Sequence, residues 1–293
     1  MIQISKLSKY YAEKMALENI YFDIRGGLIF GLLGLSGSGK TTLISILNGL
    51  EKIDGGDVRV FGIDPQTHRE ALRSISAIIP KEFAFYSNLS VKENLDFFSK
   101  LQNANTKSYE RAVNVNELDS LLDVKAADIS QAQKRRLNVA IALLGNPRVL
   151  YFDEPTEGLD LKNSQELFEM IKKYKELGIT IVYATQYVSQ VEEICDEVAI
   201  FKDGYLVEKN SIGNLISNES STQVFVEVVY KFILDNLELN MINQNTIETT
   251  NDELFTVIRV LESNGVPIKQ IRYGGASLEE HFFEIAGNEN VKK

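Results

Sequence analysis

The sequence predicts an α/β protein in two parts, a larger unit built on a partly parallel sheet and a small second α/β unit. Three observations predict it. Apolar runs of strand length alternate with helix-length stretches at 28–50 and again at 149–184. A glycine-rich loop separates the first of these runs from its helix. The chain has 293 residues, 44% of them hydrophobic, which is enough for one large core and one small one.

The elements follow in order. Residues 1–30 read as strands: Ile2, Ile4 and Leu7 are spaced apolar positions, and 20–24 alternates with polar neighbours before a Gly26-Gly27 turn. Residues 28–33 are a short apolar run with the pattern of a buried parallel strand. Residues 41–50 read as a helix stopping near Gly49, and Gly55-Gly56 followed by 58–61 as a turn and strand. From about 86 to 145 the chain changes character, becoming rich in Leu, Lys, Asn and Glu at helical spacing. Ser90-Val91-Lys92-Glu93 is a capping box, and Ser130-Gln131-Ala132-Gln133 offers the same device with glutamine, so each marks a helix start. Strand 149–152, helix 164–176 and strand 179–184 resume the alternation. Residues 198–207 form a hairpin around Asp203-Gly204, and polar 210–222 reads as a linker. Beyond it, strand 223–230, helix 251–263, strand 266–273 and helix 278–286 make the small unit. The expected domains are therefore 1–217 and 218–293.

Composition excludes several classes. The net charge of −10 sets up a field that repels polyanions and argues against nucleic acid as a partner. The single cysteine, Cys195, excludes an intramolecular disulfide and a cysteine-based metal cage. The first residues lack the apolar core of a signal peptide. No stretch of about 18 apolar residues is present, so nothing is expected to span a membrane.

Two motifs carry chemistry. Gly34-Leu35-Ser36-Gly37-Ser38-Gly39-Lys40-Thr41 matches G-x-x-x-x-G-K-[ST], after an apolar strand and before a helix. Glycines let successive backbone N–H groups come close to phosphates, Lys40 neutralises them, the Thr41 hydroxyl ligates Mg²⁺, and the helix start points its positive end at the anion. Thr42 lies beside them in the same helical turn. Val149-Leu150-Tyr151-Phe152-Asp153-Glu154 is an apolar strand ending in two carboxylates. By itself it reads as an acidic strand end meeting solvent. In a parallel sheet, however, that end lies beside the phosphate loop, where Asp153 holds Mg²⁺ through water and Glu154 polarises the attacking water.

Over residues 1–217 these motifs resemble the nucleotide-binding subunits of ABC transporters. Lys9-Tyr10-Tyr11-Ala12 is similar to the aromatic A-loop, which implies that Tyr11 stacks on adenine. Asp153-Glu154-Pro155-Thr156-Glu157-Gly158-Leu159-Asp160 resembles the Walker B and D-loop block, which implies that Asp160 crosses a dimer interface. Asn88-Leu89-Ser90-Val91-Lys92-Glu93-Asn94-Leu95 resembles the segment after the Q-loop, which faces the membrane subunits. The resemblance implies a P-loop NTPase of the ABC type with a mixed core sheet, N-terminal antiparallel strands and a helical subdomain at about 86–145. It further implies ATP and Mg²⁺ as ligands, ATP hydrolysis, and a second ATPase subunit and membrane-spanning subunits as partners. The implied location is cytoplasmic, on the inner face of the cell membrane. Ser277-Leu278-Glu279-Glu280-His281-Phe282-Phe283 is similar to the close of ABC-2-type exporter ATPases, which implies export of a drug, peptide, lipid or polysaccharide.

Three positions depart from the family pattern. Lys81 stands at the Q-loop glutamine. Ile129-Ser130-Gln131-Ala132-Gln133 stands for the L-S-G-G-Q signature, and Gln186 for the switch histidine. Gln131 and Ala132 place side chains where glycine allows close approach. Gln186 donates a hydrogen bond but carries no charge. The expectation is the degenerate half of an asymmetric ATPase pair, with a homodimer of two slow sites as the competing arrangement. Two rival functions stand beside it: a soluble ABC protein outside transport, and a nearly inactive regulatory nucleotide-binding subunit.

Overall fold

The computed structural model describes residues 1–80, 82–217, 223–229, 239–243, 245–273 and 282. The chain divides into two compact units, Met1–Asn210 and Ser211–Lys293.

The first unit begins with β1 (Ile2–Tyr11), β2 (Lys14–Ile24), β3 (Ile29–Leu33), α1 (Lys40–Leu47) and β4 (Gly55–Val60). β1 pairs antiparallel with both β2 and β4. Its residues Ile2, Ile4 and Leu7 share one core cluster with Ile20, Phe22, Val58 and Val60, as strand alternation requires. Gly55 and Gly56 are strand residues rather than the expected turn, because β4 keeps pairing with β1 across a register shift between Ser5 and Ser8.

Next come α2 (Arg69–Arg73), β5 (Ser76–Ile79), α3 (Val91–Leu101), α4 (Thr106–Val115) and α5 (Gln131–Leu143). Both expected capping boxes are formed. Ser90 Oγ accepts from Glu93 N at 3.1 Å while Glu93 Oε2 accepts from Ser90 N at 2.7 Å. Ser130 and Gln133 make the same pair of bonds at 3.2 and 2.8 Å.

The remaining elements of this unit are β6 (Val149–Asp153), α6 (Leu161–Glu176), β7 (Thr180–Thr185), α7 (Val188–Ile194), β8 (Glu197–Lys202) and β9 (Tyr205–Ser211). A six-stranded sheet has the order β5-β6-β7-β3-β8-β9, and the β5–β6, β6–β7, β3–β7 and β3–β8 ladders are parallel. Every residue of β3 and β7 is buried, which explains why these strands read as continuous apolar runs rather than alternating ones. At the β8–β9 hairpin, φ is 49° at Asp203 and 83° at Gly204, the backbone that a tight Asp-Gly turn supplies. The order β6-β7-β3 matters for the site, because the C-terminal ends of these three strands emerge side by side.

The second unit holds α8 (Ile212–Ser217), β10 (Gln223–Val228), β11 (Met241–Asn243), β12 (Thr246–Thr250), α9 (Leu254–Ser263) and β13 (Ile268–Tyr273). Its four strands run in the order β11-β12-β10-β13 with antiparallel ladders, the strand order of split βαβ, ferredoxin-like units. Val224, Val226, Val228, Ile247, Leu254, Val257 and Leu261 form its core. The expected linker at 210–222 is in part ordered structure: β9 runs to Ser211 and α8 follows directly. Apart from buried Phe282, the expected helix at 278–286 and the segment from Ser277 to Phe283 lie outside the described residues.

Candidate nucleotide-binding site

β3 passes directly into the glycine loop, which packing forces into one path. Gly39 has a φ of 105°, and a Cβ there would stand 2.7 Å from the Ala16 carbonyl oxygen. At Gly34 a Cβ would lie 2.5 Å from the Phe201 carbonyl oxygen. Neither position admits a side chain without moving backbone. α1 starts with no side-chain cap and no acidic residue in its first turn, so its leading N–H groups are left to an anion. The Ser38 hydroxyl oxygen is buried and has no hydrogen-bond partner among the described residues, a second donor in wait for a polar ligand.

Lys40 is only 5% exposed. Its Nζ donates to the Gly34 carbonyl at 2.7 Å and the Leu35 carbonyl at 3.1 Å, and stands 3.8 Å from Glu154 Oε1. The loop lysine and the acidic strand end therefore converge, as the order β6-β7-β3 demands. Burial pushes the Lys40 amine below its ordinary value, opposed by Glu154 and Asp153. Burial pushes the Glu154 carboxyl up, opposed first by the Lys40 cation and reinforced by Asp153, with the Gln186 backbone N–H holding it down. A carboxyl raised toward neutrality is matched to taking a proton from water.

A cleft of about 290 Å³ runs along these groups, lined by Tyr11, Lys14, Ser36, Gly37, Lys40, Thr41, Thr42 and Glu154 among others. Gly39 also lines it, and in the same loop Leu35 is exposed and Ser38 buried. Tyr11 sits at its mouth, 44% exposed. Among the described residues no group of three or more His, Cys, Asp or Glu side chains forms a metal cage. Thr41 on α1 and Asp153 at the end of β6 are the oxygen donors that would hold Mg²⁺, which takes one or two protein ligands and keeps water and phosphate for the rest.

The end of β7 ties the walls together. Gly34 N donates to the Thr185 carbonyl at 3.3 Å, and Glu154 N donates to the Ala184 carbonyl at 3.0 Å. Gln186 follows at the next position, half-buried, and gives its backbone N–H to Glu154. Ser130, Gln131, Ala132 and Gln133 form the first turn of α5, with Ser130 and Gln131 exposed. Asp160 is the N-cap of α6 and accepts from Asn163 N at 2.8 Å. Lys81 lies outside the described residues.

Sequence reasoning missed two residues here. Gln190 on α7 accepts at Oε1 from the hydroxyls of Thr156, Tyr183 and Thr185 at 3.1, 2.9 and 2.8 Å, pinning the segment after Glu154 to the end of β7. Arg135 on α5 donates to the Pro80 carbonyl at 2.8 Å and covers the Phe83 ring at 5.0 Å, so α5 holds the chain on either side of position 81. A lone glutamine and an arginine inside a helix give no local pattern. Their partners are brought together only by the sheet.

A site of this construction belongs to the P-loop ATPases. The family model described as "ABC transporter" matches residues 17–157. The linearmycin resistance ATP-binding protein LnrL of Bacillus subtilis is 33% identical over 211 residues, covering 71% of this chain and 68% of that protein. The methionine import ATP-binding protein MetN 1 of Oceanobacillus iheyensis is 34% identical over 261 residues, covering 83% of this chain and 76% of its own length. The solved structure of cbiO1 from Clostridium perfringens, part of the ABC transporter complex cbiONQ, superposes with a TM-score of 0.68 at 27% identity over 74% of this chain and 90% of that one. The chain belongs to the ATP-binding proteins of the ABC transporter family and is an ATPase of that fold. No helix among the described residues is long and apolar enough to cross a membrane.

Proposed function

We propose that this chain hydrolyses Mg²⁺-ATP to drive export of a drug, peptide, lipid or polysaccharide through separate membrane-spanning subunits, as the degenerate half of an asymmetric ATPase pair. The observation that carries the hydrolytic part is the approach of Lys40 Nζ to Glu154 at 3.8 Å across the cleft. Lys40 neutralises the terminal phosphates, the amides from Gly34 to Thr41 cradle them, and Glu154 takes the proton of the attacking water. Bound through Thr41 and Asp153, Mg²⁺ supplies further neutralisation of phosphate charge. Gln186 lies beside Glu154 and offers a neutral hydrogen bond where histidine would offer a charged one. The difference is worth about 1.5–3 kcal/mol, roughly ten- to a hundred-fold in rate.

The start of α5 is exposed at Ser130 and Gln131, with its first N–H groups fixed by the capping box. That supports a role in covering the nucleotide of a second ATPase subunit, with Asp160 at the same interface. A partner carrying glycines at the signature would complete the site around Lys40, while Gln131 and Ala132 would slow the opposite one. A groove of about 670 Å³ bounded by Arg73, Ile78, Pro80, Phe98, Leu101 and Asn138 supports docking of membrane subunits next to position 81, and hence a place on the cytoplasmic face of the membrane. The resistance named for LnrL favours export and the import named for MetN 1 favours the reverse. The sequence from Ser277 to Phe283 tips the reading toward export.

The test is ATP hydrolysis by the purified chain alone and by the chain co-expressed with its membrane partners. Stimulation by the partners, lost in Glu154→Gln, is expected. Brisk turnover by the isolated chain would remove the asymmetric pair, and substrate uptake only into right-side-out vesicles would reverse the direction.

A further inference from the structure

Beside Tyr11 stands a built arrangement that the phosphate chemistry does not use. Lys9, two residues earlier on β1, is 8% exposed, an unusual place for a lysine. Its Nζ lies 5.0 Å from the centroid of the Tyr11 ring, inside the range of a cation–π contact. Two carboxylates share the ammonium, Glu51 and Asp54, each at 3.8 Å. Asp54 also accepts the backbone N–H of Tyr10 at 2.6 Å, so one carboxylate fixes both the lysine and the strand beside it. The β1–β2 ladder shifts register between Lys9 and Tyr10, and such bulges re-aim the side chains next to them. Tyr10 is turned to Glu18, to which its hydroxyl donates. Tyr11 is left lining the cleft.

We infer that Lys9 is a positioning residue for the base of the nucleotide, holding the Tyr11 ring so that its cleft-facing side is a ready stacking platform. The inference rests on the reading of Tyr11 as the adenine platform. An unheld tyrosine 44% exposed at a cleft mouth would have to be ordered at the moment of binding, at a cost in side-chain entropy. With the cation, the bulge and Asp54 in place, that ordering is done beforehand. The competing role is purely structural: Lys9 neutralises Glu51 and Asp54 and has no effect on the ligand.

Binding of ATP and of inorganic tripolyphosphate to the purified full chain separates the two roles. Tripolyphosphate reports on the phosphate loop alone, and the ratio of the two affinities reports on the base. Lys9→Met keeps the apolar stem, and the carboxylates it releases are 40% and 44% exposed and stay hydrated. It is expected to weaken ATP about five-fold and leave tripolyphosphate unchanged. Lys9→Arg, which keeps a cation able to stack on the ring, is expected to restore ATP binding. Equal weakening of both ligands, or no change in either, overturns the inference. Tyr11→Ala measured in parallel identifies which step failed. If it lowers the ratio, about ten-fold or more for a lost stack, while Lys9→Met does not, only the role of Lys9 falls. If Tyr11→Ala also leaves the ratio unchanged, the base stands elsewhere and the stacking reading falls with it.

Discussion

The two working edges of the first unit are built in opposite ways. Around the phosphate loop each group is fixed by its own chain: Lys40 is buried between main-chain carbonyls and Glu154, and Gly34 and Glu154 are bonded to successive carbonyls of β7. At the start of α5, the side chains of Ser130 and Gln133 bond each other's backbone N–H groups, and Ser130 and Gln131 face solvent. On the proposed reading the first surface binds by itself and needs internal support, whereas the second acts on another subunit and needs a fixed backbone direction, which the capping box provides. Of the three departures from the family pattern, Gln186 falls at the switch position and Gln131 and Ala132 on the second kind of surface, with Lys81 outside the described residues, while the phosphate loop and the acidic pair keep the pattern.

The comparison predicts unequal sensitivity. The largest effect is expected for Lys40→Ala, which removes charge-assisted bonds to phosphate and should weaken ATP about a hundred-fold in equilibrium binding. Binding at wild-type strength would place the nucleotide elsewhere. Gly39→Ala comes next: a φ of 105° and a Cβ 2.7 Å from the Ala16 carbonyl should cost about 1–3 kcal/mol in denaturant unfolding. An unchanged midpoint would mean that the loop is not held by β2. On the other edge, the double change Gln131→Gly and Ala132→Gly should leave the chain's own ATP affinity alone and raise turnover of the assembled complex about ten-fold. No gain would show that these side chains do not obstruct the opposite site. Ser130→Ala should cost about 1 kcal/mol of stability by loss of the cap, with nucleotide affinity unchanged.

The smallest effect concerns the ion pairs that hold α5. Arg136 of α5 bonds Glu117 at 2.6 Å and Glu166 of α6 at 3.1 Å. The Glu117 carboxyl is held below its ordinary value by hydrogen bonds from Lys173 and then Arg136. A depressed carboxylate stabilises the fold fully above its unfolded pKa, and the contribution is lost as pH falls through the lower folded value. Acid unfolding of Glu117→Gln should therefore be slightly less steep below the ordinary carboxylate range than that of the wild type. Identical acid limbs would show that solvent screens these exposed pairs completely.

Much of this was legible in the sequence because it rests on local rules. The glycine pattern from Gly34 to Lys40, the capping serines Ser90 and Ser130, and the Asp203-Gly204 turn each act over a few residues. The parallel core was legible because 28–33 and 179–184 are apolar on both faces. Short elements were not: α2, β5 and α7 have too few residues for a periodic signal, and β11 and β12 lie in a polar stretch whose pairing is set by β10. The convergence on Gln190 was invisible for another reason. Thr156, Tyr183 and Thr185 reach it from three separate segments, and only the sheet order makes them neighbours.

Because β7 lies between β3 and β6, and its last carbonyls tether both the glycine loop and Glu154, the two jaws of the cleft hang from a single rod. They cannot part without tearing that rod's edge. A displacement at the end of that rod is therefore felt at the loop and at the acid together.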